Sequence, residues 1–196
     1  MQKEWPLLLL NWYDDNKRQL PWREQADAYR TWVSEVMLQQ TRVEAVKEYY
    51  RRFLERFPAI EDLAAATEEE VLQQWQGLGY YSRARNLWQG AKETVAQYGG
   101  EVPKDEKSLR ALPGVGEYTA GAILSIAYQQ AVPAVDGNVL RVFSRLYGLQ
   151  EDVQTTAVKK RVAKLVSDVL PVKRPGDFNQ ALMDFGAAIC IPETPR

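Results

Sequence analysis

Apolar residues recur at helical spacing along almost the whole chain, and no stretch alternates with a period of two between hairpin signals. Tyr29, Trp32, Val33, Val36, Met37 and Gln40 fall on one helical stripe, and Val43, Val46, Tyr50, Phe53, Leu54 and Phe57 on the next. Thr67 and Glu70 have the spacing of a capping box, and the helix they open runs to the Gly77-Leu78-Gly79 break. Ala84, Leu87, Trp88, Ala91 and Val95 continue the pattern until Gly99-Gly100 ends it. The spacing predicts helices over 5–16, 27–39, 43–56, 67–76, 82–98, 105–111, 117–128, 137–147, 155–169 and 176–189. This is an all-α fold, with no low-complexity segment, linker or tandem repeat to divide it.

With 196 residues, 45% of them hydrophobic and 26% charged, the chain can bury a sizeable core as one or two compact domains. No run approaches the roughly 18 to 20 apolar residues of a membrane span, and Met1 to Leu10 lacks a basic start and a small-residue cleavage site. The expectation is a soluble, cytoplasmic protein without membrane partners. Histidine is absent, which excludes histidine metal sites, Ser-His pairs and histidine acid-base catalysis. Chemistry must then fall to carboxylates. The one cysteine, Cys190, cannot make an internal disulfide or a zinc site alone and reads as a buried structural thiol.

A net charge of -1 and a pI near 5.7 argue against indiscriminate nucleic-acid binding, which draws on clustered Lys and Arg. Yet Leu112 to Gly121 reads LPGVGEYTAG, a tight turn between two helices that bares backbone amides where a helix dipole favours an anion. Amides clamp phosphate without changing formal charge. Arg83, Arg85, Lys159, Lys160 and Arg161 are candidates for additional phosphate contact, or else ordinary solvated helix faces.

Two carboxylates stand out. Glu35 projects with Thr31, Leu38 and Gln39 beside the aromatic stripe, where partial desolvation would help a general acid keep its proton; otherwise it is a helix-surface glutamate. Asp136 precedes Gly137-Asn138-Val139-Leu140-Arg141, the position of a helix N-cap. The cap and a functional role are compatible, because a carboxylate held by amides is an anchored anion.

The hairpin followed by VDGNVLR from Val135 to Arg141 resembles the helix-hairpin-helix DNA glycosylases of base-excision repair. Leu20-Pro21-Trp22-Arg23 and SEVMLQQTR, from Ser34 to Arg42, are similar to the MutY subfamily, adenine glycosylases that act opposite 8-oxoguanine. The similarity runs from about Trp12 to Cys190. It implies a six-helix barrel domain over 21–130, containing the helix-hairpin-helix at about 105–128, and a second helical domain from 1–20 and 131–196, with the active cleft between them. The implied partner is double-stranded DNA carrying a mispaired adenine, bound by a monomer associated with the nucleoid.

The same resemblance implies the roles. Glu35 protonates the imidazole-ring side of a flipped-out adenine, and Asp136 stabilises or transiently captures the oxocarbenium-like sugar before water adds. Bifunctional relatives such as endonuclease III carry a lysine in the hairpin as an amine nucleophile; here the residue is Tyr118, which implies a monofunctional enzyme that leaves an abasic site. Tyr118 packs near the sugar or serves packing alone, and Asn138 orients Asp136 or water. Arg23, Trp22 and Gln180 match adenine-pocket positions. Gln40, Thr41, Leu78 and Tyr80 match the lesion side, where a wedge fills the gap of a flipped nucleotide. Gly114, Val115 and Gly116 supply phosphate-binding amides. Trp22 and Leu78 are equally readable as core residues, and Gln180 as the partner of Asp177 in a capping box.

Cys190 matches the first ligand of a 4Fe-4S cluster whose spacing in the family is Cys-x6-Cys-x2-Cys-x5-Cys. Only Ile191 to Arg196 follow, so the cluster is expected in a longer parent and no cofactor in the chain as given. A monovalent cation on the hairpin carbonyls is left open. Two other functions also stay open: a thymine glycosylase for guanine-thymine mismatches, and a catalytically silent helix-hairpin-helix module that only binds DNA.

Overall fold

The computed structural model describes residues 4–196, so the first three residues of the expected 1–20 segment lie outside the described residues. Among the described residues twelve α-helices form and there is no strand. The all-α expectation holds. Helices α1 (Trp5–Asn16), α4 (Val43–Arg56) and α7 (Ser82–Tyr98) keep the expected limits. Helices α3 (Ala28–Leu38), α6 (Glu68–Trp75), α8 (Glu106–Ala111), α9 (Glu117–Ile126), α10 (Gly137–Leu146), α11 (Thr156–Val169) and α12 (Pro175–Ala188) shift by one or two residues.

Part of that shift has one cause. Asp27, Thr67, Asp105 and Thr155, which the periodicity placed inside helices, have extended backbones and act as N-caps. Their side chains accept the amides of Arg30, Glu70, Ser108 and Val158. The Thr67–Glu70 capping box is complete, since a Glu70 carboxylate oxygen also accepts the Thr67 amide at 2.8 Å.

Two helices were not anticipated, α2 (Pro21–Glu24) and α5 (Ile60–Ala65). Each is too short to show a stripe. Pro21 opens α2 with its φ preset and no amide to leave unsatisfied, while the Asp62 carboxylate closes the start of α5 on the Ala59 amide at 2.9 Å.

The chain divides into two compact units, each with its own core. One comprises the described residues of Met1–Arg18 together with Leu124–Arg196; the other is Gln19–Ile123. In the Gln19–Ile123 unit α3 packs against α2, α4 and α7, α4 packs on α6, and α5 and α6 both pack on α7. Eight of the eleven residues of α3 are buried, so the one-sided stripe expected there is in fact a helix enclosed nearly all round. Where α4 packs on α6, Phe53, Phe57 and Trp75 are all fully buried, with Phe53 edge-on to the other two at centroid distances of 5.0 and 5.9 Å.

In the other unit α12 packs on α1 and α10, and α10 on α11. Leu10, Tyr13, Phe143, Val162, Phe178 and Leu182 belong to its core. Among the described residues no helix is long and apolar enough to cross a membrane.

The Phe53→Ala variant should lose about 3–5 kcal/mol in urea unfolding, because the cavity left among rigid aromatic rings cannot collapse. Leu8→Ala, at a position 67% exposed, should stay within about 0.5 kcal/mol of the parent.

Candidate active site

Within the Gln19–Ile123 unit, α3 carries Glu35 inward. The residue is 6% exposed, and its Oε2 accepts a hydrogen bond from the Tyr118 hydroxyl at 2.5 Å. Tyr118 lies in the first turn of α9, just past the hairpin, so the turn and the buried carboxyl belong to one arrangement. The core-margin reading of Glu35 is therefore too mild, and the reading of Tyr118 as packing alone is replaced by a direct polar contact.

The hairpin itself joins α8 to α9. Leu112 and Val115 are 4% and 6% exposed and anchor it by their side chains, while Gly114 and Gly116 face solvent. The Val115 amide donates to the Leu112 carbonyl at 3.2 Å, so it serves the turn; Gly114 and Gly116 remain as the solvent-facing glycines of the expected trio. Gly114 has φ +74°, and a Cβ there would lie 2.9 Å from Asn86 Cβ. Glu117, at the start of α9, is paired with Arg110 at 3.3 Å, which offsets an acidic group close to that amide surface.

The Leu124–Arg196 segment holds the second carboxylate. Asp136 is the N-cap of α10: its Oδ1 accepts the Val139 amide and its Oδ2 the Asn138 Nδ2, both at 2.8 Å. The cap and Asn138's orienting contact thus coexist on one side chain. Arg141, which the sequence reading quoted without a role, completes the chain. Its Nη2 donates at 2.8 Å to Asn138 Oδ1 and to the Gly186 carbonyl, and its Nε to the Cys190 carbonyl at the same distance. Gly186 permits this, since a Cβ on it would lie 2.6 Å from Asn138 Cβ. Only the i, i+3 spacing of Asn138 and Arg141 hinted at the pairing.

Asn179 was also missed. Fully buried on α12, it accepts the Ala134 amide at 3.2 Å and donates to Ser125 Oγ and the Val132 carbonyl, both at 2.9 Å. The loop leading into Asp136 is thereby tied to α12 and to the end of α9. No sequence signal set it apart, since Asp177 and Gln180 beside it are polar as well.

The remaining positions divide. Trp22 is buried, edge-on to Tyr50 at 5.5 Å, and Leu78 is buried, so both serve the core. Arg23 is half-buried on α2. Gln180 is half-buried and donates to the Gly176 carbonyl at 3.3 Å, whereas Asp177 takes Arg174 Nε at 2.8 Å; the Asp177–Gln180 capping box does not form, because α12 starts earlier, at Pro175. Gln40 and Tyr80 are exposed, with left-handed φ of +56° and +47°, and Thr41 is half-buried.

Of the basic candidates, Arg83 is 8% exposed and turned to backbone carbonyls, so it is neither a surface phosphate contact nor a solvated face. It was misread because a first-turn arginine looks exposed in one dimension. Arg85 pairs with Glu68 and Arg161 with Glu151, while Lys159 and Lys160 lie exposed on α11. Cys190 is buried, and Arg145 Nη1 donates to its Sγ at 3.4 Å. No group of three or more metal-binding side chains is assembled among the described residues. One buried thiol does not fit a cluster that needs four ligands.

Comparison with known proteins now adds to this geometry. The family described as HhH-GPD superfamily base excision DNA repair protein matches residues 33–168. The adenine DNA glycosylase of Mus musculus is 50% identical over 196 residues, covering 95% of this chain and 38% of its own length. The chain thus spans well under half of that relative. Among solved structures, a thermostable thymine-DNA glycosylase superposes with a TM-score of 0.90 at 31% identity, covering 99% of this chain and 89% of its own. A trapped endonuclease III-DNA covalent intermediate superposes with a TM-score of 0.81 at 25% identity, covering 97% and 87%.

Gly114→Ala should cost about 1–3 kcal/mol in denaturant unfolding, from a strained φ together with overpacking on Asn86. Gly116→Ala, whose Cβ would meet nothing within 4 Å, should change stability by less than about 0.5 kcal/mol.

Proposed function

This chain belongs to the HhH-GPD superfamily of base excision DNA repair proteins, and from that premise we propose that it is the catalytic region of a monofunctional glycosylase that excises adenine mispaired with 8-oxoguanine or guanine. The observation that carries the reading is the Glu35 carboxyl, buried and hydrogen-bonded to Tyr118 beside the hairpin. Adenine is a poor leaving group until its ring is protonated, and a carboxyl shielded from water is suited to deliver that proton. The likeness to a mammalian adenine DNA glycosylase supports adenine as the base.

In this reading the hairpin amides take a backbone phosphate of duplex DNA and the target nucleotide leaves the stack. Glu35 gives its proton to the imidazole-ring side of adenine. The bond between sugar and base then breaks, adenine departs with the electron pair, and the sugar becomes oxocarbenium-like. Asp136, already fixed by Val139 and Asn138, is the anchored negative charge that such a sugar requires. Water adds to the sugar carbon and loses a proton, leaving an abasic site. Tyr118 offers no amine for a Schiff base, so the strand is left intact.

The similarity to a thymine-DNA glycosylase along nearly the whole length of both chains supports a second reading, thymine excision from guanine-thymine mismatches. Defined duplexes separate the two. Under single-turnover conditions the parent chain should release adenine opposite 8-oxoguanine and no thymine opposite guanine, with strand scission only after alkali. Glu35→Gln and Asp136→Asn should each slow release by at least about 100-fold, the usual scale for losing a proton donor or a charge that faces the transition state. Thymine release instead would replace the adenine reading, and binding without any base release would leave a DNA-binding module.

A further inference from the structure

The two terminal nitrogens of Arg83 share six acceptors while its buried Nε has no partner, and nothing in the excision chemistry uses this residue. Its Nη1 donates to the carbonyls of Val36 and Met37 at 3.0 Å each, and to that of Gln39. Its Nη2 donates at 3.3 Å to Thr41 Oγ1 and to the carbonyls of Leu78 and Gly79. The guanidinium carbon lies 5.5 Å from the ring centroids of both Trp75 and Tyr80. No carboxylate pairs with it among the described residues. The charge is instead shared among carbonyl dipoles, some of them at the C-terminal end of α3, where a helix leaves acceptors unsatisfied and favours a cation.

The acceptors belong to two separate segments. One is the end of α3 with residues 39–41; the other is the turn of residues 76–81 between α6 and α7. Each segment carries one non-glycine residue in left-handed backbone, Gln40 at φ +56° and Tyr80 at φ +47°, and both of these side chains are exposed. Such a conformation is unfavourable for a residue with a side chain and persists only where the surroundings over-determine it. Here one guanidinium bonds to both segments. Trp75 adds a second tie, its Nε1 donating to the same Gly79 carbonyl at 3.2 Å.

We propose that Arg83 is a positioning residue that welds these two loops into one rigid wedge, presenting Gln40 and Tyr80 together to the DNA duplex so that the target base is held out of the stack. This rests on the excision reading above. A planar fork can serve both segments at once, whereas an ammonium has three donors on a flexible stem and cannot reproduce the pattern, so charge alone is insufficient. Arg83 touches no reacting atom; it acts through the loops.

Two measurements test it with Arg83→Lys and Arg83→Met. Amide hydrogen exchange in the DNA-free protein reads the weld directly. Protection of Thr41 and Leu78, whose amides bond to the Leu38 and Trp75 carbonyls, should fall at least about tenfold in both variants while α5 and α8 keep theirs. A uniform rise across Gln19–Ile123, or no change in the two loops, overturns the weld. Single-turnover release is then compared for adenine paired with 8-oxoguanine and for adenine already unpaired in a bulge. Loss of the weld should slow the paired substrate by at least about tenfold and the bulged one by less than about threefold, since only the first needs the wedge to open the pair. Equal slowing on both would overturn the wedge role. If the parent chain releases no adenine from either duplex, the excision reading has failed, and the exchange data still decide whether Arg83 joins the loops.

Discussion

A carboxyl enclosed in the interior of a helical unit is the constraint around which the rest of that unit is arranged. Moving Glu35 out of water carries a penalty of several kcal/mol if it stays charged and without partners, so the fold must provide a donor or a use for the proton. The Tyr118 hydroxyl at 2.5 Å provides the donor, and it can do so only because the hairpin delivers the first turn of α9 to the flank of α3. The turn therefore has two tasks. It exposes Gly114 and Gly116, and it presents a side chain that donates to the buried acid.

A second regularity runs through both units: the long polar side chains that matter most bond to backbone carbonyls and amides rather than to opposite charges. Arg83 joins two loops by carbonyls, Arg141 joins α10 to the end of α12, and Asn179 joins the 132–134 loop to α12 and Ser125. Carbonyl acceptors at helix ends and in loops cannot move without the chain moving. A side chain that gathers several of them fixes backbone shape in a way a surface ion pair, worth about 1 kcal/mol or less, does not. Asp136 gains from this directly, since Arg141 orients Asn138 and Asn138 orients the carboxylate.

What was legible in the sequence follows from the same physics. Ten helices could be read because each has a stripe at least two turns long or a cap with a defined chemical signature, and the capping residues themselves account for several of the misplaced starts. α2 and α5 are shorter than the window in which periodicity can be seen. Glu35, Tyr118 and Asp136 were readable from local motifs, but the Glu35–Tyr118 bond, between residues 83 positions apart, was not. Arg83 marks the limit most clearly. Nothing in Ser82-Arg83-Ala84-Arg85 separates a buried strut from an exposed base, and only the packing of α3 against α7 gives the two arginines different surroundings.

That difference bears on how a chain of net charge -1 could meet DNA at all. Its arginines are largely consumed internally: Arg83 on carbonyls, Arg141 and Arg145 on the chain after α12, Arg174 on Asp14 and Asp177, Arg18 on Asp184. Side-chain charge is thereby spent on backbone carbonyls and on internal ion pairs, and backbone amides at Gly114 and Gly116 are left as the candidate grip on phosphate. An amide clamp reads a single phosphate in a fixed direction, whereas a lysine cluster attracts any polyanion. In the proposed excision reading, a directional and weakly charged grip would hold the duplex in register without fixing the protein to undamaged sequence.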